Sequence, residues 1–118
     1  MFEYHCWAAL PDFGDREAEM LLSEELRTRI DALEDGARES FNFTNLNARM
    51  VAASGLRNHS QPFVLDIFEW IAAEWPGSYG LMYVASEFPD EDGKWRWHVL
   101  KIGDCKTEHL EDRYFGTR

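Results

Sequence analysis

The most constraining feature of the sequence is a helical stripe that runs into a Pro-Gly junction and then into an alternating segment. Within "FVLDIFEWIAAEW", apolar residues recur three or four positions apart, which predicts an amphipathic helix. The stripe comprises Val64, Ile67, Phe68, Ile71, Ala72 and Trp75. Ser60 can cap this helix and Pro62 fits its first turn. Pro76 and Gly77 then end it, because the residue before proline is disfavoured in helical geometry and glycine accepts a left-handed cap.

The glycines after this helix do not form a phosphate-binding loop. In such a loop the glycines follow a strand and open a helix, whereas "WPGSYGLMYVAS" places them between a helix and a strand. Tyr79, Leu81 and Tyr83 share one face of that strand. Gly80 within the strand predicts a bulge or the close approach of another backbone. The segment is therefore predicted to connect a helix to a strand.

The remaining segments complete a prediction of fold class. The first is a strand at 2–10, and a helix follows from Asp12 or Asp15 to about Leu33, where Gly36 ends it. Two strands lie within 39–56 and are joined near 45–48. After a turn at Asp92-Gly93 comes a strand at 94–102, and the tail then adds a short strand or stays irregular. The order β-α-β-β-α-β-β predicts one two-layer α+β domain over 1–118. Two helices would cover one face of an antiparallel-rich sheet of about five strands, leaving the other face to solvent or to a partner.

The charge of the chain limits the classes of partner. Acidic residues number 22 against 12 Lys and Arg, a net charge of −10 at pH 7, so the chain lacks the basic footprint of a nucleic-acid-binding protein. Anionic lipid surfaces would repel it as well. Residues 1–36 alone hold ten acids and three bases, mostly on the predicted wet face of the first helix. Such a chain attracts a basic partner, or simply stays soluble.

The start of the chain and its two cysteines favour a cytoplasmic protein. "MFEYHCWAAL" has no basic region of the kind that opens a secretory signal, and no apolar run reaches the roughly 18 residues of a membrane span. Cys6 and Cys105 are almost a chain length apart, without the spacing of a metal site. We therefore expect a reduced intracellular environment.

Few side chains are arranged for catalysis or metal binding. His5 and Cys6 are adjacent in a predicted strand, so their side chains point to opposite faces and cannot act as a pair. The segment 90–93 is too short for a calcium loop. The sequence predicts no enzyme, no metal site and no cofactor, and a small hydrolase that uses His and Cys is the least favoured alternative.

Several stretches together resemble one family. "YHCW", "SGLRNH" and "WPGSYGLMYV" occur in this order, followed by the acidic turn "FPDEDGKW" and a strand, and the combination is similar to the immunity protein 7 family of bacterial polymorphic toxin and contact-dependent inhibition systems. The likeness covers most of 2–102; Cys6, where a glycine would be familiar, and the tail after Gly103 depart from it. The motif residues, interpreted as scaffold, are Tyr4, His5, Trp7, Asn58, His59, Pro76, Gly77, Ser78, Tyr79 and Gly80. Asn58 and His59 are interpreted as hydrogen-bonding residues at the helix entry, and Tyr4, Trp7, Tyr79 and Tyr83 as core or inter-strand packing.

The resemblance implies an antidote that acts by binding rather than by catalysis. Such proteins bind the C-terminal toxin domain one-to-one and block its active site or substrate surface. The toxin is often a nuclease, whose active face is basic because it attracts phosphates, and an acidic protein can imitate that phosphate field. The alternative is an acidic adaptor domain with another partner. Neither interpretation involves direct contact with nucleic acid or membrane.

The contact region is predicted from charge and aromatic content. Its members are Glu87, Asp90, Glu91 and Asp92 in the acidic turn, with Trp95 and Trp97 beside them. Aromatic side chains next to acids on an exposed sheet face would form an anchored, charged interface. If both tryptophans instead faced the helices, they would be core. Glu24 and Asp31 on the first helix are the alternative contact residues.

Overall fold

An antiparallel sheet carries helices on one of its two faces. The computed structural model describes residues 2–45, 48–57, 62–86 and 88–115, and in this part of the chain it has six strands and three helices. The elements are β1 Phe2–Ala9, α1 Arg16–Asp31, α2 Asp35–Glu39, β2 Phe41–Asn45, β3 Arg49–Arg57, α3 Pro62–Glu74, β4 Tyr79–Ala85, β5 His98–Gly103 and β6 Lys106–Leu110. The strand order is β2-β3-β1-β4-β5-β6 with every neighbouring pair antiparallel, which confirms the predicted α+β class.

Two elements extend the predicted order β-α-β-β-α-β-β. The tail forms a short sixth strand, one of its two predicted alternatives, because Asp104 and Cys105 adopt positive φ values of 53° and 61° and return the chain along β5 as β6. A short third helix, α2, follows α1, so Gly36 lies inside a helix instead of ending one. This helix buries Ala37 and ends where the Ser40 hydroxyl donates to the Ala37 carbonyl oxygen at 2.6 Å.

The strand predicted over 94–102 is shorter than expected. Its pairing with β4 begins at the pair His98 and Val84, so Trp95 and Trp97 precede the strand. The predicted strand boundary was therefore wrong by four residues.

The start of α1 is fixed by carboxylates. Asp15 is the N-cap, and its side chain accepts a hydrogen bond from the Ala18 backbone N–H at 3.0 Å. Glu19, which is buried, accepts from the backbone N–H groups of Phe13 and Asp15 and lies 3.3 Å from an Arg49 guanidinium nitrogen. Of the two predicted caps, Asp15 is confirmed. The loop before α1 is thereby tied to the first residue of β3.

The junction after α3 has the predicted geometry. Gly77 has φ +76°, which is the expected left-handed cap. The buried Trp75 indole donates from Nε1 to the Pro11 carbonyl oxygen at 2.9 Å, and the Ser78 hydroxyl donates to the Ile71 carbonyl oxygen at 3.2 Å. These contacts fasten the end of α3 to the loop that follows β1.

Two glycines allow close packing around β1. A Cβ at Gly80 would lie 2.0 Å from the Trp7 carbonyl oxygen, so the predicted close approach of another backbone is confirmed. A Cβ at Gly55 would lie 2.6 Å from the Tyr4 hydroxyl oxygen. That hydroxyl donates to Ser40 Oγ at 2.8 Å, so the buried Tyr4 links β1 to the end of α2. Gly55 and Gly80 therefore fit the central strand against both of its neighbours.

The core lies between the helices and one face of the sheet. It includes Phe2, Tyr4, Cys6 and Ala8 from β1, Leu26 and Ile30 from α1, and Val64, Ile67, Phe68, Ile71 and Ala72 from α3. Phe68 stacks on Phe41 of β2 with ring centroids 5.8 Å apart. The apolar stripe that predicts α3 is thus the face that α3 buries.

Replacing Phe68 with Ala should destabilise the fold strongly, because its side chain is fully buried and its loss leaves a cavity. We expect a loss of about 3–5 kcal/mol in the free energy of unfolding, measured by urea denaturation. Phe63→Ala on the same helix is the matched control, since Phe63 is 68% exposed and should change stability little. Equal midpoints for the two variants would contradict the assigned face of α3.

Candidate functional site

Among the described residues, no helix packs on the sheet face opposite α1 and α3, and this face is rich in aromatic and apolar side chains. The alternation of β1 and its register with β3 and β4 place the following side chains on this open face: Trp7, Met50, Leu56, Tyr79, Leu81 and Tyr83. Trp7 is 37% exposed, Met50 44%, Leu56 53% and Tyr79 55%. A contiguous apolar patch of this kind on a soluble domain marks an interaction surface. We take the open face as the candidate functional site.

Trp7 and Tyr79 form one half of the site. Their rings meet edge-to-face across β1 and β4 with centroids 6.1 Å apart. The predicted inter-strand packing is therefore present, but both rings remain at the surface and only Tyr4 of the tyrosines in that prediction is in the core.

Trp97 and Phe115 form the other half. The Trp97 ring lies 5.8 Å from the His5 ring and 6.3 Å from the Tyr83 ring, and Phe115 lies 5.3 Å from Tyr83. The Asp112 carboxylate accepts hydrogen bonds from the Phe115 backbone N–H, which turns the chain after β6 back over the open face. Trp97 therefore faces away from the helices, on the side that the predicted contact region requires.

A groove of about 570 Å³ lies between these two halves. Its walls include Trp7, Trp97 and Phe115, and Ala52 and Ser54 of β3 leave space beside them because their side chains are small. Glu3 and His5 line one end, with a carboxylate oxygen of Glu3 2.7 Å from His5 Nε2. Within the described residues no lysine or arginine lines this groove.

The acidic turn neutralises part of its own charge. Arg96 lies 3.0 Å from a carboxylate oxygen of Asp90 and 2.5 Å from one of Asp92, and His98 Nε2 lies 2.9 Å from the other Asp90 oxygen. The hydrogen bond to His98, followed by that to Arg96, lowers the pKa of Asp90. Hydrogen bonds from Arg96 and from the Lys94 backbone N–H lower the pKa of Asp92. Both carboxylates are therefore ionised and internally paired.

The other predicted contact residues lie in different places. Glu91 and Trp95 are exposed at the turn, while Glu87 lies outside the described residues, as do Asn58, His59 and Ser60. Asp90 and Trp97 line one shallow groove, which joins the turn to the edge of the open face. Glu24 and Asp31 are exposed on α1, on the helical side of the sheet. The structure thus brings the turn and Trp97 together, and leaves the α1 acids apart from them.

The open position of Trp7 is a feature that the sequence interpretation missed. Glu3 and His5 share the phase of Trp7 in β1, whereas Phe2 and Tyr4 share the buried phase. Those two polar residues were the signal that this phase faces away from the core.

The histidine and cysteine side chains that the structure describes do not assemble a nucleophilic site. His5 and Cys6 lie on opposite faces of β1, as predicted, and Cys6 packs in the core. Burial raises the pKa of Cys6 to about 12, so its thiol stays protonated at neutral pH. In the described part of the chain no group of three or more His, Cys, Asp and Glu side chains is placed to hold a metal ion. None of the described helices combines the length and apolar character needed to cross a membrane.

The two thiols should differ sharply in reactivity. We expect one fast thiol per folded chain with Ellman's reagent, because Cys105 is exposed and Cys6 is buried. Cys105→Ser should abolish the fast phase, and both thiols should react in denaturant. A fast phase in folded Cys105→Ser protein would contradict the inert character of Cys6.

The pKa of Asp90 should depend on His98. Replacing His98 with Leu removes the strongest interaction that lowers this pKa, so a carbon-detected NMR titration should show it moving up towards the ordinary aspartate range. His109→Leu is the control, since His109 contacts His98 at 3.3 Å and has no hydrogen bond to Asp90. An equal rise in both variants would contradict a direct effect of His98.

Comparison with known families identifies the family of this chain. Residues 1–116 match the family model described as Immunity protein 7, which is essentially the whole chain. Neither the curated proteins nor the solved structures give a significant match. The resemblance of "YHCW", "SGLRNH" and "WPGSYGLMYV" to this family agrees with the match. The chain belongs to the immunity protein 7 family.

Proposed function

We propose that this immunity protein neutralises the toxin domain of its own system by binding it one-to-one, without catalysis. Family membership supplies the class of activity, and the uncovered aromatic sheet face is the observation that carries a binding mechanism. Trp7 and Tyr79 are large aromatic side chains of the kind that dominate interface energetics when a partner covers them. Both remain partly exposed on the free protein.

The proposed partner is a basic toxin domain, specifically a nuclease. A nuclease attracts phosphates, and its active face is therefore basic. The net charge of −10 gives this chain a field that accelerates capture of such a domain. Binding across the active site or the substrate surface would then inhibit the toxin by occlusion.

The proposed contact region is the acidic turn together with the adjoining edge of the open face. It comprises Glu87, Asp90, Glu91 and Asp92 with Trp95 and Trp97. Trp97 supports the continuity of this surface, since it borders both the turn and the open-face groove. Glu24 and Asp31 lie on the helical side of the sheet, so a partner bound there would use a different interface.

Because Asp90 and Asp92 are paired with Arg96, a charge-reversal test of the turn needs a different residue. Reversing either charge would break the turn, whereas Glu91 is exposed and makes no ion pair in the described part of the chain. Glu91→Lys therefore tests the charge of the turn with little change to its structure. Glu69→Lys on α3 is the matched control, because it alters the net charge equally at another exposed position.

The binding partner for the test is the product of the adjacent upstream gene, which we expect to carry the toxin as its C-terminal domain. We expect a one-to-one complex by calorimetry, and a several-fold slower association for Glu91→Lys than for Glu69→Lys at low salt. Added salt should remove most of this difference, because screening shortens the range of the field. An equally slower association rate for both variants would show that the electrostatic attraction of the toxin does not depend on the turn. Failure of the wild-type protein to bind or neutralise that toxin would contradict the proposed function.

A further inference from the structure

The open-face groove has the chemistry of a receptor for one cationic side chain. We infer that it takes an arginine or lysine side chain of the toxin domain, with the cationic group stacked on Trp7. This inference rests on the proposed function and specifies what the partner must present. It also separates the anchoring contact from the acidic turn, which acts at longer range.

The dimensions of the groove suit such an occupant. Its volume of about 570 Å³ exceeds what a single side chain needs, and it opens to solvent beside a Trp7 ring that is 37% exposed. Ala52 and Ser54 flank the ring position on β3, so a planar guanidinium can approach without meeting a large side chain. A cation is attracted when it lies within about 6 Å of an aromatic ring centroid.

The chain itself pairs arginines with aromatic rings on its other side. Arg27 lies 4.8 Å from the centroid of Phe43, and Arg29 lies 4.8 Å from that of Trp70. Arg49 lies 5.7 Å from the ring centroid of Trp75. All three pairs involve rings on the helical side of the sheet.

The open face differs from the helical side in its arginine–aromatic contacts. No arginine or lysine of the described part lies over the rings of Trp7, Tyr79 or Tyr83. Among the described residues, these rings thus lack the cation contacts that the helical side shows.

The charges around the groove favour a cationic side chain over an apolar one. Glu3 supplies a carboxylate at one end, where it also lies 2.7 Å from His5 Nε2. Burial raises the pKa of Tyr83, and the negative charge of Asp112 raises it further. Lys101 lies opposite Leu81 on the open face and Lys106 lies on β6, but neither lysine lines the groove. An apolar side chain would gain from the rings alone, whereas a cation gains from the rings and the carboxylates together.

The first experiment measures the affinity of the upstream-encoded toxin domain for Trp7 variants by calorimetry. Trp7→Leu keeps an apolar side chain and removes the aromatic face, and should weaken binding at least tenfold. Trp7→Phe restores a ring and should recover much of the affinity. Leu21→Ala, on the far side of the molecule and 57% exposed, should bind like the wild type.

The second experiment tests the groove without the toxin. N-acetylarginine amide should shift the Trp7 indole N–H resonance in ¹⁵N NMR spectra, and N-acetylnorleucine amide should shift it much less. Glu3→Gln should reduce the response to the arginine probe. A response to norleucine equal to that to arginine would overturn the cationic occupant and identify an apolar site.

The two experiments distinguish failure of this inference from failure of the proposed function. If the wild-type protein binds the toxin and Trp7→Leu binds equally well, the groove is not the anchor and the proposed function stands. If the wild-type protein does not bind the toxin, the proposed function fails and the arginine probe decides whether the groove accepts a cation. Absence of any shift with the arginine probe would overturn the inference in either case.

Discussion

The register of the central strand is the constraint on which the rest of the structure depends. β4 approaches β1 so closely at Gly80 that a Cβ would collide with the Trp7 carbonyl oxygen, and Gly55 of β3 leaves room for the Tyr4 ring. A larger residue at Gly80 would force β1 away from β4, and one at Gly55 would displace the Tyr4 ring from its place in the core. Because side chains alternate along a strand, a slip of one residue would exchange the two faces. Trp7 would enter the core and Tyr4 would leave it, so the core and the candidate binding face are determined together.

The structure separates two electrostatic roles that the net charge alone combines. Asp90 and Asp92 are bound by Arg96, so these carboxylates hold the shape of the turn as well as contributing to the field. Exposed acids without such partners, such as Glu91, act mainly through long-range attraction, which sets association rates. The aromatic face acts only at contact, where desolvated rings set dissociation rates. Capture and retention of a partner would therefore depend on different residues.

Much of the fold follows from the sequence, and the exceptions have physical causes. The stripe around Phe68 and the left-handed Gly77 are local signals, so α3 and its end were predicted correctly. The helix α2 has five residues, too few for a periodicity to appear. The acidic turn was recognised, but its pairing with Arg96 depends on loop geometry that no spacing rule supplies. Trp7 was assigned to packing because β1 carries apolar residues in both phases; Glu3 and His5 indicated the open phase, and the register with β3 and β4 establishes it.

An exposed aromatic sheet face carries a hazard, because copies of the chain could associate through it. Two features oppose this association. Phe115 and Trp97 fold over Tyr83, which reduces the aromatic surface exposed on this face. The net charge of −10 makes each copy repel every other copy, while the same charge attracts a basic domain. A single property, the net negative charge, thus disfavours self-association and would favour the proposed partner.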